Sequence, residues 1–219
     1  MSLSGEARAF VNTLSGVLNA TITDGIRISY KGDRRGAAGA IGYRITKDDL
    51  VGELIPISIG KDPTCWLALN QALTLTDDGY LKTVRARMAV YADGSGEHSL
   101  FRYDFDREAE NPFPTTHIQI DAESEACRIL SERCGTSPQF EDLHLPVGGV
   151  RFRPSLEDVI EFLIVEEIAD HREGWKGLID SERRIFYERQ LRAAVRNNPD
   201  AAVHQLRSMG YTVEQPTEE

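Results

Sequence analysis

The stretch EDLHLPVGGVRFRPSLEDVIEFLIVEE, residues 141–167, joins a glycine turn, two arginines and the most apolar helix the chain predicts. A β-rich front half meets a helical back half there. Pro154 disfavours helix before it, Ser155 offers a hydroxyl cap, and Asp158 three residues on completes a capping box. Glu157 and Asp158 also suit the positive end of a helix dipole. Leu156, Val159, Ile160, Leu163 and Ile164 follow helical spacing, and Phe162, Val165 and Ile168 widen the stripe until little polar circumference remains. Such a helix is buried on most sides. Upstream, Gly148 and Gly149 permit positive φ; a short strand after them would turn Val150 and Phe152 one way and Arg151 and Arg153 the other, beside His144.

Working back from that turn, the period of apolar residues is two. Ile118 and Ile120 alternate with His117, Gln119 and Asp121; Phe101, Tyr103 and Phe105 alternate with Arg102, Asp104 and Asp106. Tyr80, Val84, Ala86, Met88 and Val90 form another apolar face opposite Thr83, Arg85 and Arg87, and Leu67, Leu69, Leu73 and Leu75 a fourth. Asp78-Gly79 and the run Ala92 to Gly96 supply turns between them. Earlier still, Ile26 to Tyr30 and Ile41 to Thr46 read as a hairpin with a loose basic tip carrying Lys31, Arg34 and Arg35. The chain opens with an amphipathic helix from Ser4 to about Ala20, its face made by Ala7, Phe10, Val11, Leu14, Val17 and Leu18. A further helix is expected from Ala122 to Cys134. Beyond residue 168 the pattern predicts a charged helix to about Asn197, a last helix capped by Asn198 with Pro199 at its first position and ended by Gly210, and disorder after Val213. The fold class expected is α+β: an antiparallel meander of six or seven strands covered by helices over 1–168, with a helical C-terminal extension over 169–219.

Composition bounds the function. The 219 residues suffice for one core, and no apolar run approaches the roughly 20 residues that span a bilayer. The opening MSLSGEARAF has no basic segment followed by an apolar one, so a cytoplasmic protein is expected. Cys65, Cys127 and Cys134 are an odd number without metal-knuckle spacing, and read as reduced thiols in a core. A net charge of −10 opposes broad attraction to nucleic acid, though not a local basic groove. His98, His117, His144, His171 and His204 show no metal-ligand spacing, and no Walker, dinucleotide or nucleophile-elbow motif is present. Neither metal nor cofactor is expected.

Two clusters carry the candidate chemistry. If neighbouring strands pair as their turns suggest, the face away from the core gathers Arg85, Arg87, Arg102, Asp104, His117, Gln119 and Asp121. An imidazole beside guanidinium and carboxylate groups can move protons while arginines hold a phosphate, which suits phosphodiester cleavage without metal. The plainer reading is the solvated outer face of a half-buried sheet, knitted by Arg–Asp pairs. The second cluster, His144, Arg151 and Arg153 around Gly148-Gly149, can bind an anion near the start of the next helix; the plainer reading there is a packed loop. Arg183, Arg184, Arg189, Arg192 and Arg196 give the penultimate helix a basic edge, but Glu182 and Glu188 interleave and favour a solvated face over an RNA contact.

At LFRYDFDRE, PTTHIQID and HLPVGGVRFRPSLEDVIEFLI the chain resembles a group of uncharacterised actinobacterial proteins, which implies no activity. The Arg-Tyr-Asp strand followed by a proline and a histidine-bearing strand is similar to TumE-like toxins of bacterial toxin–antitoxin pairs. That resemblance implies Arg102, Asp104 and His117 as catalytic positions. The expected function is then the effector half of a toxin–antitoxin or phage-defence pair acting on RNA, with an antitoxin-like protein partner or a homodimer. The alternative is a non-enzymatic binding module whose C-terminal helices dock a partner protein.

Overall fold

The computed structural model describes residues 2–108, 110, 113–122, 124–126, 129, 133, 143–149, 151 and 153–214. A helix, α1 (Leu3–Thr21), is followed by β1 (Ile28–Gly32), β2 (Ala38–Tyr43), β3 (Ile55–Ile57), β4 (Cys65–Leu75), β5 (Leu81–Tyr91), β6 (Ser99–Asp106), β7 (Thr116–Ile120) and β8 (Leu145–Pro146). Three helices close the chain: α2 (Leu156–Val165), α3 (Trp175–Asn197) and α4 (Pro199–Ser208). The strands form one antiparallel sheet in the order β1-β2-β4-β5-β6-β7-β8, with β3 pairing the start of β4 on the edge whose other end takes β2. This is an α+β fold with a meander sheet.

Burial sorts the two faces of the sheet. Leu67, Leu69 and Leu73 of β4, Met88 and Val90 of β5, and Phe101 and Phe105 of β6 point inward beneath the helices. α1 lays Leu3, Ala7, Val11, Leu14 and Leu18 on that face, and α2 adds Leu156, Val159, Ile160, Leu163 and Ile164. Ile179 at the start of α3 is fully buried in the same core. The junction from α1 to β1 is tied by side chains: Asn19 Nδ2 donates to the Ile26 carbonyl at 2.7 Å while Asn19 Oδ1 accepts from the Ile26 amide at 2.8 Å. Arg172 Nε then donates to the Asn19 carbonyl at 2.8 Å, joining the loop before α3 to the end of α1.

α2 begins as its residues dictate. Ser155 and Asp158 each bond the other's backbone amide, at 3.4 and 2.7 Å, so both halves of the capping box form. Its other end is a Schellman motif: the Ile168 amide reaches the Leu163 carbonyl at 2.9 Å, and the Glu167 amide reaches Ile164 at 3.1 Å. Glu167 carries that turn at φ 58°, a region where a Cβ is disfavoured. Glu167→Gly is therefore expected to stabilise the protein by about 0.5–1 kcal/mol, read as a higher urea midpoint at unchanged slope.

Several details differ from the sequence reading. α1 is capped by the Ser2 side chain, which accepts from the Gly5 amide at 3.2 Å, rather than by Ser4. The basic tip is short, because β1 and β2 pair as far as Gly32 and Gly39 and leave only five residues between the strands. Gly39 is required there because the Tyr30 ring lies across it where a Cβ would stand. β3 and β8 were not expected, and the strand expected over Val150 to Arg153 is absent at the described residues 151 and 153. The register between β4 and β5 shifts at Ala72/Leu73, so Thr83 rather than Val84 opposes buried Leu73. Tyr80 precedes β5 and is 45% exposed. Asn198 caps no amide with its side chain; its Nδ2 instead donates to the Ala194 carbonyl at 3.0 Å. Most of the helix expected from Ala122 to Cys134, and the tail from 215, lie outside the described residues.

The β5–β6 turn is held by one carboxylate. Asp93 accepts from the Ser95 hydroxyl, from the Ser95, Gly96, Glu97 and His98 amides and from His98 Nδ1 at 2.8 Å. The Ser95 bond first, then those from His98 and the loop amides, hold its carboxyl well below the usual carboxylate range. A folded-state value below the unfolded one contributes stability above the unfolded value, and that contribution is lost as pH falls through the folded value. Between about pH 4 and pH 2, stability of the wild type should fall more steeply than that of Asp93→Asn, measured by urea titration at each pH.

Candidate functional site

One cross-strand row runs over the outer face: Asn70 of β4, Arg87 of β5, Asp104 of β6, His117 of β7 and Pro146 of β8 are successive register partners. The adjacent row carries Ala89, Arg102 and Gln119. Strand alternation put the charged members on one face, and the meander brought them side by side. Arg102, Asp104 and His117 are thus gathered as the alternation predicts. Arg85 is also on this side, exposed and opposite Asp106.

The ionic contacts are largely mutual. Arg87 Nε donates to Asp104 Oδ1 at 2.8 Å, and Arg102 Nε lies 3.1 Å from Asp104 Oδ2. Arg102 Nε also donates to Gln119 Oε1 at 2.7 Å. Gln119 is buried, and the Asp104 side chain is only 18% exposed. With a guanidinium on each oxygen, Asp104 acts as the counterion that fixes Arg87 and Arg102. It is not placed as a free base.

Histidines occupy the β7–β8 edge. His117 Nδ1 lies 2.9 Å from the Pro114 carbonyl. A carbonyl only accepts, so Nδ1 carries the proton and Nε2 is the nitrogen left for chemistry. The His144 ring lies 4.6 Å from that of His117 and stacks on Phe113 at 3.6 Å with the planes 1° apart. Two imidazoles side by side can divide acid and base roles in a proton transfer. Among the described residues no group of histidine, cysteine, aspartate and glutamate side chains is arranged to hold a metal ion.

Arg151 and Arg153 lie close to Arg107, near enough for their charges to repel. The Arg153 guanidinium lies 4.6 Å over the ring of Phe105 and 5.7 Å from that of Phe186, on the helix-covered side of the sheet. Arg107 flanks the same Phe105 ring at 5.4 Å. Burial, and then the repulsion of Arg107 and Arg151, pull Arg153 down to about 10. The described residues 151 and 153 are not in a strand, and the Arg153 guanidinium lies over the inward ring of Phe105.

A different feature was not visible in the sequence. After Ile179, α3 buries no further residue, and α4 buries none. Tyr187, Leu191 and Val195 recur at every fourth position on α3 and are 38%, 55% and 54% exposed. Leu206, Met209 and Tyr211 at the end of α4 are 40%, 62% and 60% exposed. This distal arm touches the sheet through Arg196, whose guanidinium lies 3.9 Å over the Tyr80 ring. Charged residues interrupt the apolar positions of α3 so often that no stripe stands out in the linear sequence.

No family model, no curated protein and no solved structure matches the chain. Among the described residues no helix is long and apolar enough to cross a membrane.

Proposed function

We propose that this protein is a binding module that docks a partner protein on the distal half of α3 and on α4. One observation carries the reading: from Tyr187 to Tyr211, across the distal half of α3 and α4, no residue is fully buried and six large apolar side chains are exposed. A ten-residue helix with no buried residue has little stability of its own in water, and an exposed apolar helical face of this kind is what a partner helix covers. Charge selects the partner. From 185 to 197, Arg189, Arg192 and Arg196 stand against Glu188 alone, on a chain whose net charge is −10. An isologous pairing would set arginine against arginine, whereas an acidic helix with an apolar stripe complements the arm.

Site-specific photocrosslinking in cells tests this. A photoreactive residue at Leu191 or Leu206 should capture one discrete acidic protein. That protein, once purified, should bind the wild type and lose most of its affinity for Leu191→Glu. A crosslink that forms while Leu191→Glu binds unchanged, or capture from control position Val51 alone, would refute the docking surface.

A second reading is favoured by the adjacent imidazoles of His117 and His144. In it, the protein is an RNA-directed effector of a toxin–antitoxin or defence pair, His117 and His144 exchange the protons of phosphodiester cleavage, and Arg85 and Arg87 hold the phosphate. The arm would then receive the neutralising partner. Growth arrest on expression that His117→Ala abolishes supports this reading; arrest that survives both His117→Ala and His144→Ala removes it.

A further inference from the structure

β1 is the first strand of the sheet and pairs with β2 on one side only. The Asp33 amide reaches the Ala38 carbonyl at 2.8 Å, so Asp33 and, two and four residues back, Lys31 and Ser29 are the positions that exchange bonds with β2. The peptide groups of Ile28, Tyr30 and Gly32 therefore point off the sheet. The Ile28 amide follows that alternation, since it turns from β2 and donates to Ser15 Oγ of α1 at 2.9 Å. Among the described residues nothing comparable meets the amides and carbonyls of Tyr30 and Gly32. The rim of this edge is basic. Arg27, Lys31, Arg34 and Arg35 fall within nine residues against Asp33 alone, on a chain of net charge −10. Asp33 is occupied in the turn, where its Oδ1 accepts from the Ala37 amide at 3.0 Å. Arg8 of α1 stands beside them, near enough for its charge to act on the Tyr30 hydroxyl. Among the described residues none of these cations is in an ion pair, and Arg8, Arg27, Arg34 and Arg35 are exposed.

We propose that the outer edge of β1 takes an acidic peptide segment of a partner protein as an added antiparallel strand. Tyr30 and Gly32 each exchange two main-chain bonds with a residue of the incoming strand, which supplies affinity without regard to sequence. The unpaired cations around them supply the choice, because carboxylates on the added strand complement them and basic or neutral strands do not. A second copy of this chain is the poorer occupant, since two β1 edges would crowd both sets of cations around one five-residue ladder. The surface goes beyond the arm: it reads an extended segment through its backbone, whereas the arm is covered by a helix.

The test is titration of the isotope-labelled full chain with the end-blocked peptide Asp-Glu-Val-Thr-Val-Glu-Val-Asp, followed by amide NMR and fluorescence anisotropy. The Tyr30 and Gly32 amides should shift, with saturable binding at a dissociation constant on the order of 100 μM. Two versions N-methylated at alternate residues separate backbone pairing from charge: the one that blocks the side facing β1 should bind at least about tenfold more weakly, and the other should bind unchanged. The same peptide with lysine at every acidic position should not bind. Arg34→Glu combined with Arg35→Glu, in the turn and outside the ladder, should weaken the acidic peptide at least about tenfold, whereas Leu191→Glu on the arm should leave it unchanged. Melting curves report whether the double variant folds, and if it does not, the methylated peptides decide. Absence of saturable binding, shifts confined to the arm, equal binding of both methylated peptides, or full affinity in the folded double variant would each overturn the proposal.

Discussion

Leu163→Ala is expected to destabilise the protein by about 2–5 kcal/mol, the largest effect of any single substitution considered. Leu163 is fully buried at the centre of α2, within the cluster that also takes Leu18 of α1, Leu67 and Leu69 of β4 and Ile179 of α3. Truncation removes apolar contacts and leaves a void between elements that cannot all close on it. The Leu163 carbonyl also receives the Ile168 and Ala169 amides at 2.9 Å, so the turn into α3 is fastened at the same residue. Urea unfolding should show a lower midpoint with the slope retained. A loss below about 1 kcal/mol would mean that α2 is not central to the core.

Arg183→Leu should cost about 2 kcal/mol. The Arg183 side chain is 16% exposed; Nε donates to Asp158 at 2.9 Å, one terminal nitrogen pairs with Glu161, and the other lies 3.3 Å from Asp180. It thereby locks the proximal half of α3 to the first turns of α2. Asp158 and Glu161 are 32% and 28% exposed, so water recovers part of what they lose, and the effect stays below that of a fully buried pair. Lysine should not restore it, because a single ammonium cannot serve carboxylates lying in different directions. Denaturation of Arg183→Leu and Arg183→Lys beside the wild type measures both statements.

How much could be read beforehand depended on how local the cause was. The start of α2 is written in four adjacent residues, Ser155 to Asp158, and formed as read. The alternations in β6 and β7 brought Asp104 opposite His117, because hairpin pairing needs only neighbouring turns. Features set by distant partners were hidden. The register shift that turns Thr83 inward is decided across β4, and Pro56 disguised β3, whose place on an edge tolerates a missing amide. Arg153 obeyed Phe105, nearly fifty positions away in the chain, rather than its own alternation. The same distinction separates the candidate sites. The outer ionic face was legible and proves mostly self-paired, whereas the exposed apolar positions of the arm are known only once the path of α3 past the sheet is known.

Docking on the arm requires that it be loosely held: no residue past Ile179 is fully buried, and Arg196 lies over Tyr80. Native-state hydrogen exchange of the free protein measures this residue by residue. Amides of β4 and of Trp175 to Ile179 should approach the global unfolding energy, while those of α4 and of Leu191 to Asn197 should open for about 1 kcal/mol or less. Arm amides as protected as those of Leu67 to Leu73 would contradict the account, because a segment that stable has no need of a partner to cover it.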